Sequence, residues 1–398
     1  MPRFGLGIVG GAENLIRGLA LRAFDEDDTV EIATTCARDH ETWHNTLPPG
    51  ETVEDGLVVR RFAVTPRDEV SHRRLHALLL ASGRLDYLEE LEFMASSVWS
   101  ADLQRFLESE GARYDWIIFS PYLFGTTYWG AQAWPERSLL VPCLHDEPYA
   151  YMRCVREMVE SCAGCLFNTP AEERLARRLF DVPAGGVVGL GFDAPLEPAD
   201  PKFASRHGLG RYVVYAGRLE EAKRVNVAVD YVCRYAREHA PDLRLVLIGS
   251  GGYEPPPGAR EVIRLGYLEE HEKRAALAGA VALVHPSQLE SLAIVLMEAW
   301  LEGTPALVAE GSHVMREHVN ISGGGFTFDN YTTFAAAMGR ILGEPTLARR
   351  LGAAGRDYVV STANWAAVKA RLHAYIRPSV SIAPLGMSSG SSGAAAEQ

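Results

Sequence analysis

Short apolar runs of five to eight residues recur along the chain, most separated by stretches whose apolar residues repeat at helical spacing, and the series runs twice. The first series holds "TVEIATT" (29–35), "LVVRRFAV" (57–64), "YDWIIFS" (114–120), "SLLVPCL" (138–144), "GCLFNT" (164–169) and "GVVGLG" (186–191). After the Pro-rich polar stretch "GFDAPLEPADPKF" it restarts with "YVVYAGR" (212–218), "RLVLIGS" (244–250), "EVIRLGY" (261–267), "VALVHPS" (281–287) and "PALVA" (305–309). Helical patterns such as "GAENLIRGLALRAF", "AEERLARRLF", "RVNVAVDYVCRYAREH" and "HEKRAALAGA" lie between them. Strands alternating with helices imply parallel sheets covered on both faces, and near-continuous β-branched runs suit strands buried on both sides. At 398 residues there is chain for two domains. The expectation is an α/β protein of two doubly wound, Rossmann-like parallel-sheet domains facing a cleft, over 1–190 and 206–360 with a linker at 191–205. Ligands of such sheets sit at the carboxyl ends of the strands. The small polar tail, 379–398, is expected to be disordered.

A net charge of −12 argues against nucleic acid as a partner, though a few local cations still suffice for one anionic ligand. No run of about 18 apolar residues occurs, and the opening "MPRFGLGIVGG" has no apolar core of leader length; the expectation is a cytoplasmic protein. That opening carries two glycines and a proline, so it reads as loop rather than central strand. The first strand is expected to be very short or to lie upstream of Met1. Cys36, Cys143, Cys154, Cys162, Cys165 and Cys233 show no zinc-site spacing and read as reduced, packed thiols. Lysine is scarce: only Lys202, Lys223, Lys273 and Lys369 occur. The segment "SHRRLHALLLASGRL" (71–85) reads as an amphipathic core helix, with a membrane-surface or acceptor-binding helix as the alternative.

The stretch "HPSQLESLAIVLMEAW" (285–300) places Glu290 and Glu298 around seven residues, six of them consecutively apolar. Residues eight apart on a helix differ by about 80° in direction. The pair therefore reads as Glu290 in a loop, Ser291 near the N-cap, and a buried helix from about Leu292 to Leu301 with Glu298 two turns in. The N-terminal amides of such a helix favour an anion such as a pyrophosphate, and an unpartnered Glu298 inside an apolar helix would be costly.

These residues resemble the signature of the retaining glycosyltransferases of family 4, which have the GT-B fold. "PSQLESLAIVLMEAWLEGTPALV" is similar to its two-glutamate segment, "IVGGAENLIRGLALRAF" to its glycine loop and first helix, and "LLVPCLHDEPYAY" to its strand-then-histidine segment. "FNTPAEERL" and "VVGLGFD" resemble the close of its first domain, "YAGRLEEAKRVNVAV" and "LVLIGSGG" its arginine–lysine segment and the following strand. "NWAAVKARLHAYI" resembles the closing helix that crosses back to the first domain, within 361–378. Together they cover most of the chain in the family's order.

The resemblance implies roles. Glu298 would hold the ribose of a nucleotide-sugar and Glu290 would contact the donor sugar. Ser291 would lie at the donor, and the amides of Leu292, Ala293 and Ile294 would bind sugar hydroxyls and phosphate. Arg218 and Lys223 would neutralise the diphosphate, Gly10 and Gly11 would approach the β-phosphate, Gly266 and Tyr267 would lie at the base, and His145 would sit near the reaction centre. Leu292-Ala293 replace the family's frequent Phe-Gly, which bears on the donor pocket. Asp146 and Glu147 read as solvent-exposed or helix-start residues. No D-x-D pair stands at a strand end, so a metal-independent reaction without a cofactor is expected, retaining the anomeric configuration. The expected partners are a nucleotide-sugar donor and a carbohydrate or lipid-linked acceptor, in bacterial cell-surface polysaccharide or glycolipid assembly, with peripheral contact at the inner face of a membrane in view. Rival readings on the same fold are a nucleotide-sugar epimerase, a phosphorylase and a non-catalytic nucleotide-sugar-binding protein.

Overall fold

The computed structural model describes residues 1–8 and 10–377; the tail expected at 379–398 lies outside the described residues. Its first half holds α1 (Gly11–Arg22), β1 (Glu31–Thr35), β2 (Gly50–Glu54), β3 (Leu57–Phe62), α2 (Glu69–Ser82), α3 (Tyr87–Ser96), α4 (Ala101–Glu110), β4 (Ile117–Phe119), α5 (Gly125–Ala131), β5 (Ser138–Leu140), α6 (Arg153–Ser161), β6 (Gly164–Phe167), α7 (Pro170–Leu179) and β7 (Gly185–Val187). The second half continues with α8 (Phe203–Arg206), β8 (Tyr212–Ala216), α9 (Val225–His239), β9 (Arg244–Ile248), β10 (Val262–Gly266), α10 (Glu270–Ala278), β11 (Leu283–His285), α11 (Ile294–Leu301), β12 (Ala306–Ala309), α12 (His313–Ser322), β13 (Gly325–Phe328), α13 (Tyr331–Gly343), α14 (Pro345–Thr362) and α15 (Trp365–Ile376).

Each apolar run of the sequence forms a strand. In the second half they build one parallel sheet in the order β10-β9-β8-β11-β12-β13. All five residues of β8 are buried, as a strand covered on both faces requires. Trp300 of α11 anchors one of the two flanking cores, fully buried, and its indole N–H donates to Gly324 O at 2.8 Å. Local signals set the helix ends: the side chains of Asp68, Ser100, Thr169, Ser312 and Asn364 each accept from a backbone N–H in the first turn of the following helix. Gly83, at φ 73°, stops α2 before the end of the expected segment 71–85.

The first half differs from one continuous sheet. β4-β5-β6-β7 form a parallel sheet, while β1, β3 and β2 form a separate one in which β2 is antiparallel to β3. β2 and β3 form a hairpin around Asp55 (φ 50°) and Gly56 (φ 83°), a two-residue turn with both centres left-handed. Residues 1–8 form no strand. Met1 and Pro2 lie along β1 instead: the Met1 amine donates to Ala33 O (3.1 Å), and Thr35 Oγ1 donates to Pro2 O (2.6 Å).

The last helix returns to the first half. Val368 and Leu372 of α15 pack with Leu15, Leu19, Val141, Leu166 and Val188. Trp116 Nε1 donates to Ile376 O, Arg371 to Val188 O and Lys369 to Phe24 O. Trp365 lies where a Cβ on Gly18 would meet it at 2.8 Å, so the glycine permits the close approach of α1.

Candidate functional site

The carboxyl ends of β8 and β11 bring together the residues that the sequence placed 67 apart. Lys223 closes a single 3-10 turn after β8. Its Nζ donates to Glu290 Oε1 at 2.7 Å and to Leu289 O at 3.0 Å. Both side chains are largely buried. Burial alone would push the Glu290 carboxyl up; the Lys223 ammonium, with His285 beside it, holds it down at about 2. His285 ends β11, with Nε2 at 3.7 Å from Glu290 Oε1 and Nδ1 buried without a partner. Burial keeps its pKa below the ordinary histidine range, so a neutral imidazole borders an ionised carboxylate and an ammonium.

Ser291 is not the N-cap of the following helix, which starts at Ile294 with Ala293 at the cap position. Glu298 therefore lies one turn in rather than two. Ala293 has φ 61° and ψ 56°, a left-handed conformation that favours glycine, and its side chain supplies no cap. The backbone N–H groups at the start of α11 thus lack a side-chain acceptor, which leaves the positive end of a buried helix open to an anion. The turn before it is held against the first half: Thr169 Oγ1 donates to Ser291 O at 3.2 Å, and Leu292 is buried among Leu15, Leu139, Val141, Leu166 and Leu190. Leu292 is an interdomain contact by its side chain; Ile294 packs on the same cluster.

Glu298 has a partner that sequence reasoning did not assign. Lys273 of α10 bridges Glu298 Oε1 and Glu270 Oε2, both at 2.8 Å. Burial raises the Glu298 carboxyl, and Lys273 opposes that shift. Gly266 ends β10 at φ 71° in open space, and Tyr267 next to it exposes 58% of its surface. That is an unengaged aromatic face at the strand end nearest α10.

Other expected residues stand apart from this cluster. Arg218 is half exposed and paired with Glu220 at 3.1 Å, not with Glu290. His145 Nδ1 lies 3.3 Å from Glu147 Oε1, which also accepts from Tyr122 Oη at 3.1 Å. Asp146 is exposed, as expected, and paired with Arg178 (2.7 Å) and Tyr151 (2.6 Å), while Glu147 stands at the start of a 3-10 helix, Pro148–Tyr151. Gly10 is extended at φ 175° and caps α1 without a side chain, and a Cβ there would overlap the Glu13 carboxylate at 2.0 Å. Gly11, the first helical residue, faces open space. Among the described residues Asp25, Asp28 and His373 are grouped closely enough to ligate a metal. Lys369 and Arg377 already bond those carboxylates, at the far end of α15.

His285 and Lys273 are the two residues of the site that the sequence did not single out. The scarcity of lysine was the available signal for Lys273. For His285 there was none, since its place beside Glu290 depends on the path of the loop between them.

Residues 200–358 match the model of the family described as Glycosyl transferases group 1. The chain is 29% identical over 168 residues to a glycogen synthase of Mycobacterium tuberculosis, covering 39% of this chain and 40% of that protein. It thus spans about two fifths of that relative's length. It is 25% identical over 405 residues to a D-inositol 3-phosphate glycosyltransferase of Streptomyces scabiei, covering 90% of this chain and 84% of the relative. Among solved structures it resembles Anabaena HepE in complex with UDP and glucose, with a TM-score of 0.61 at 16% identity, covering 80% of this chain and 86% of that one. The last likeness shows the fold, the two-domain GT-B arrangement.

Proposed function

We propose, for a chain whose residues 200–358 match the model described as Glycosyl transferases group 1, that it transfers a sugar from a nucleoside-diphosphate sugar to a carbohydrate or lipid-linked acceptor. The observation that carries this reading is the buried Lys223–Glu290 pair beside the open N-terminus of α11. The Lys223 ammonium, the Arg218 guanidinium turned from Glu220, and the free amides of α11 together suit a diphosphate. Glu298, held by Lys273, faces the ribose hydroxyls, and Tyr267 offers its ring to the base. Glu290 accepts from the donor sugar, and His145 borders it from the first half.

When the bond from the anomeric carbon to the β-phosphate oxygen breaks, negative charge grows on the diphosphate. Two cations and a helix start stabilise it there. The sugar oxygen of the acceptor takes the anomeric position, and its proton passes to the departing phosphate on the same face. This route retains configuration, uses no enzyme nucleophile and needs neither metal ion nor cofactor. Work at the inner face of a membrane, on surface polysaccharide or glycolipid, fits such an acceptor.

The test follows release of nucleoside diphosphate from a panel of nucleotide-sugars, with acceptors present, in EDTA. The reading expects turnover in EDTA, reduced about tenfold or more by Lys223→Ala. Turnover that EDTA abolishes would remove the metal-free route, and an unchanged Lys223→Ala rate would remove the diphosphate role of Lys223.

A further inference from the structure

The carboxyl ends of the adjacent strands β11, β12 and β13 meet the start of α9 around a cavity of ≈ 300 Å³. It shares no lining residue with the Lys223–Glu290–His285 cluster, although Arg224, which lines it, follows Lys223 directly. Arg224 stands left-handed, at φ 55° and ψ 32°, a conformation that is uncommon and costly for a residue with a long side chain. Consecutive cations part at this turn: Lys223 goes to Glu290, and Arg224 joins a wall that Tyr231 of α9 continues. Tyr231 meets the buried Phe328 edge to face, with ring centroids 6.0 Å apart, so one side of the cavity is aromatic.

The polar groups of the wall are largely unengaged. Among the described residues the Arg224 guanidinium, the Tyr231 hydroxyl and the Gln288 amide have no side-chain or backbone partner. Arg316 of α12 holds Glu310 loosely, with Nη1 at 3.4 Å from Glu310 Oε1, longer than a tight ion pair. Asp329 Oδ1 accepts from Asn330 (2.9 Å) and Thr333 (2.8 Å) and meets no cation among the described residues. These groups narrow the occupant. A guanidinium without a partner is a fork for the oxygens of one carboxylate or phosphate. Glu310, Asp329 and Gln288 suit hydroxyls, and a volume at the lower end of ligand cavities takes one ring. Charge then selects between anions. Arg316 and Glu310 offset each other, which leaves Arg224 against Asp329. A carboxylate adds one negative charge, whereas a phosphate monoester adds nearly two and sets the second against Asp329 in the same small space.

We propose that this cavity is a second ligand site, apart from the Lys223–Glu290 cluster, that takes a single sugar ring carrying one carboxylate, a uronic acid. The experiment titrates D-glucuronate, D-glucose and glucose 6-phosphate calorimetrically into the full chain and into three variants. Arg224→Asn removes the guanidinium and keeps a residue that tolerates the left-handed turn. Glucuronate is expected to bind the parent, with glucose and glucose 6-phosphate weaker by about tenfold or more. Arg224→Asn is expected to lower the glucuronate affinity about tenfold or more, and Lys223→Ala to leave it unchanged. Asp329→Asn, which keeps Oδ1 for Thr333, is expected to bring glucose 6-phosphate up to the affinity of glucuronate, and this arm decides alone if Arg224→Asn does not fold. Four results overturn the proposal: no glucuronate binding by the parent, glucose or glucose 6-phosphate bound as tightly as glucuronate, an affinity that survives in Arg224→Asn but falls in Lys223→Ala, or no gain for glucose 6-phosphate in Asp329→Asn. No donor enters the experiment, so the result is separate from the proposed activity.

Discussion

Lys273 and Ala293 are the two residues whose behaviour departs furthest from what their neighbours in sequence suggest. The Lys273–Glu298 pair is mostly shielded from water, so removing one partner leaves the other charge without its counter-ion. Lys273→Met is expected to cost about 3 kcal/mol in urea unfolding at neutral pH, and Lys273→Met with Glu298→Gln to recover most of it. In the single variant Glu298 takes up a proton that the unfolded chain releases, so its stability falls as pH rises through the carboxylate range. A single variant as stable as the parent at pH 7 would show that Glu298 is not held by Lys273. Ala293 stands left-handed and buried at the start of α11. A β-branched side chain is a steric outlier there. Ala293→Val should lose about 2 kcal/mol or more, whereas Ala293→Gly should stay within about 1 kcal/mol, relief of the backbone being offset by the lost methyl. Equal stability of the two variants would contradict the assigned conformation. The Lys223–Glu290 pair behaves in the opposite way to Glu298. With its folded pKa held at about 2, Glu290 contributes stability that is complete above the ordinary carboxylate value near 4 and is lost as pH falls through about 2.

At the scale of elements, the loops leaving β5 and β6 are joined by a buried carboxylate. Glu172 in the first turn of α7 accepts from the N–H of Leu144 (2.6 Å) and of Asn168 (2.5 Å). Burial pushes its carboxyl up to about 8 against those bonds. The folded chain then holds a proton that the unfolded chain releases, so this group removes stability as pH rises from about 4 toward 8. Glu172→Gln should flatten that part of the pH–stability curve, with a loss of about 1–3 kcal/mol at pH 5 from the disturbed N–H partners; an unchanged slope between pH 5 and 8 would exclude Glu172 as its source. The seating of α15 on α1 is tested at Gly18. Alanine there gains helix propensity of about 1 kcal/mol, yet its Cβ would meet Trp365 at 2.8 Å and Leu190 at 2.9 Å. Gly18→Ala is expected to lower the thermal midpoint and to speed proteolysis near α15; a raised midpoint would show that the helices have room.

Legibility followed burial. The strands of the second sheet were readable because β-branched runs covered on both faces leave a continuous apolar signal, as in "YVVYA" of β8. β2, with all but its last residue exposed and the sequence "GETVE", carries no such signal. β13 starts at Gly325, the last of three consecutive glycines, and carries no apolar run at its start either. Glu290 and Lys223 could be named from the sequence because the resemblance fixed their order; the pairing of Lys273 with Glu298 could not, since it depends on how α10 packs on α11, and the pairings of His285 with Glu290 and of His145 with Glu147 could not, since each depends on the path of the loop between them. The start of α11 was misplaced because a left-handed alanine at a cap looks, in sequence, like the first turn of a helix.

For the whole molecule, the relevant arrangement is a turn held by both halves. Ser291 bonds Thr169 and Leu292 plugs into the first half, while the adjoining Glu290 is fixed by Lys223 in the second. Any ligand gripped at Lys223 and at the start of α11 therefore sits at the seam, where a shift between the halves alters both contacts. Calorimetric titration of nucleoside diphosphates into the parent chain and into Lys223→Ala measures this grip most directly. The account predicts that at least one diphosphate binds the parent, that its monophosphate binds more weakly, and that Lys223→Ala lowers the diphosphate affinity about tenfold or more. Equal affinity of the two proteins for that diphosphate, or no binding of any diphosphate at saturating concentration, would contradict it.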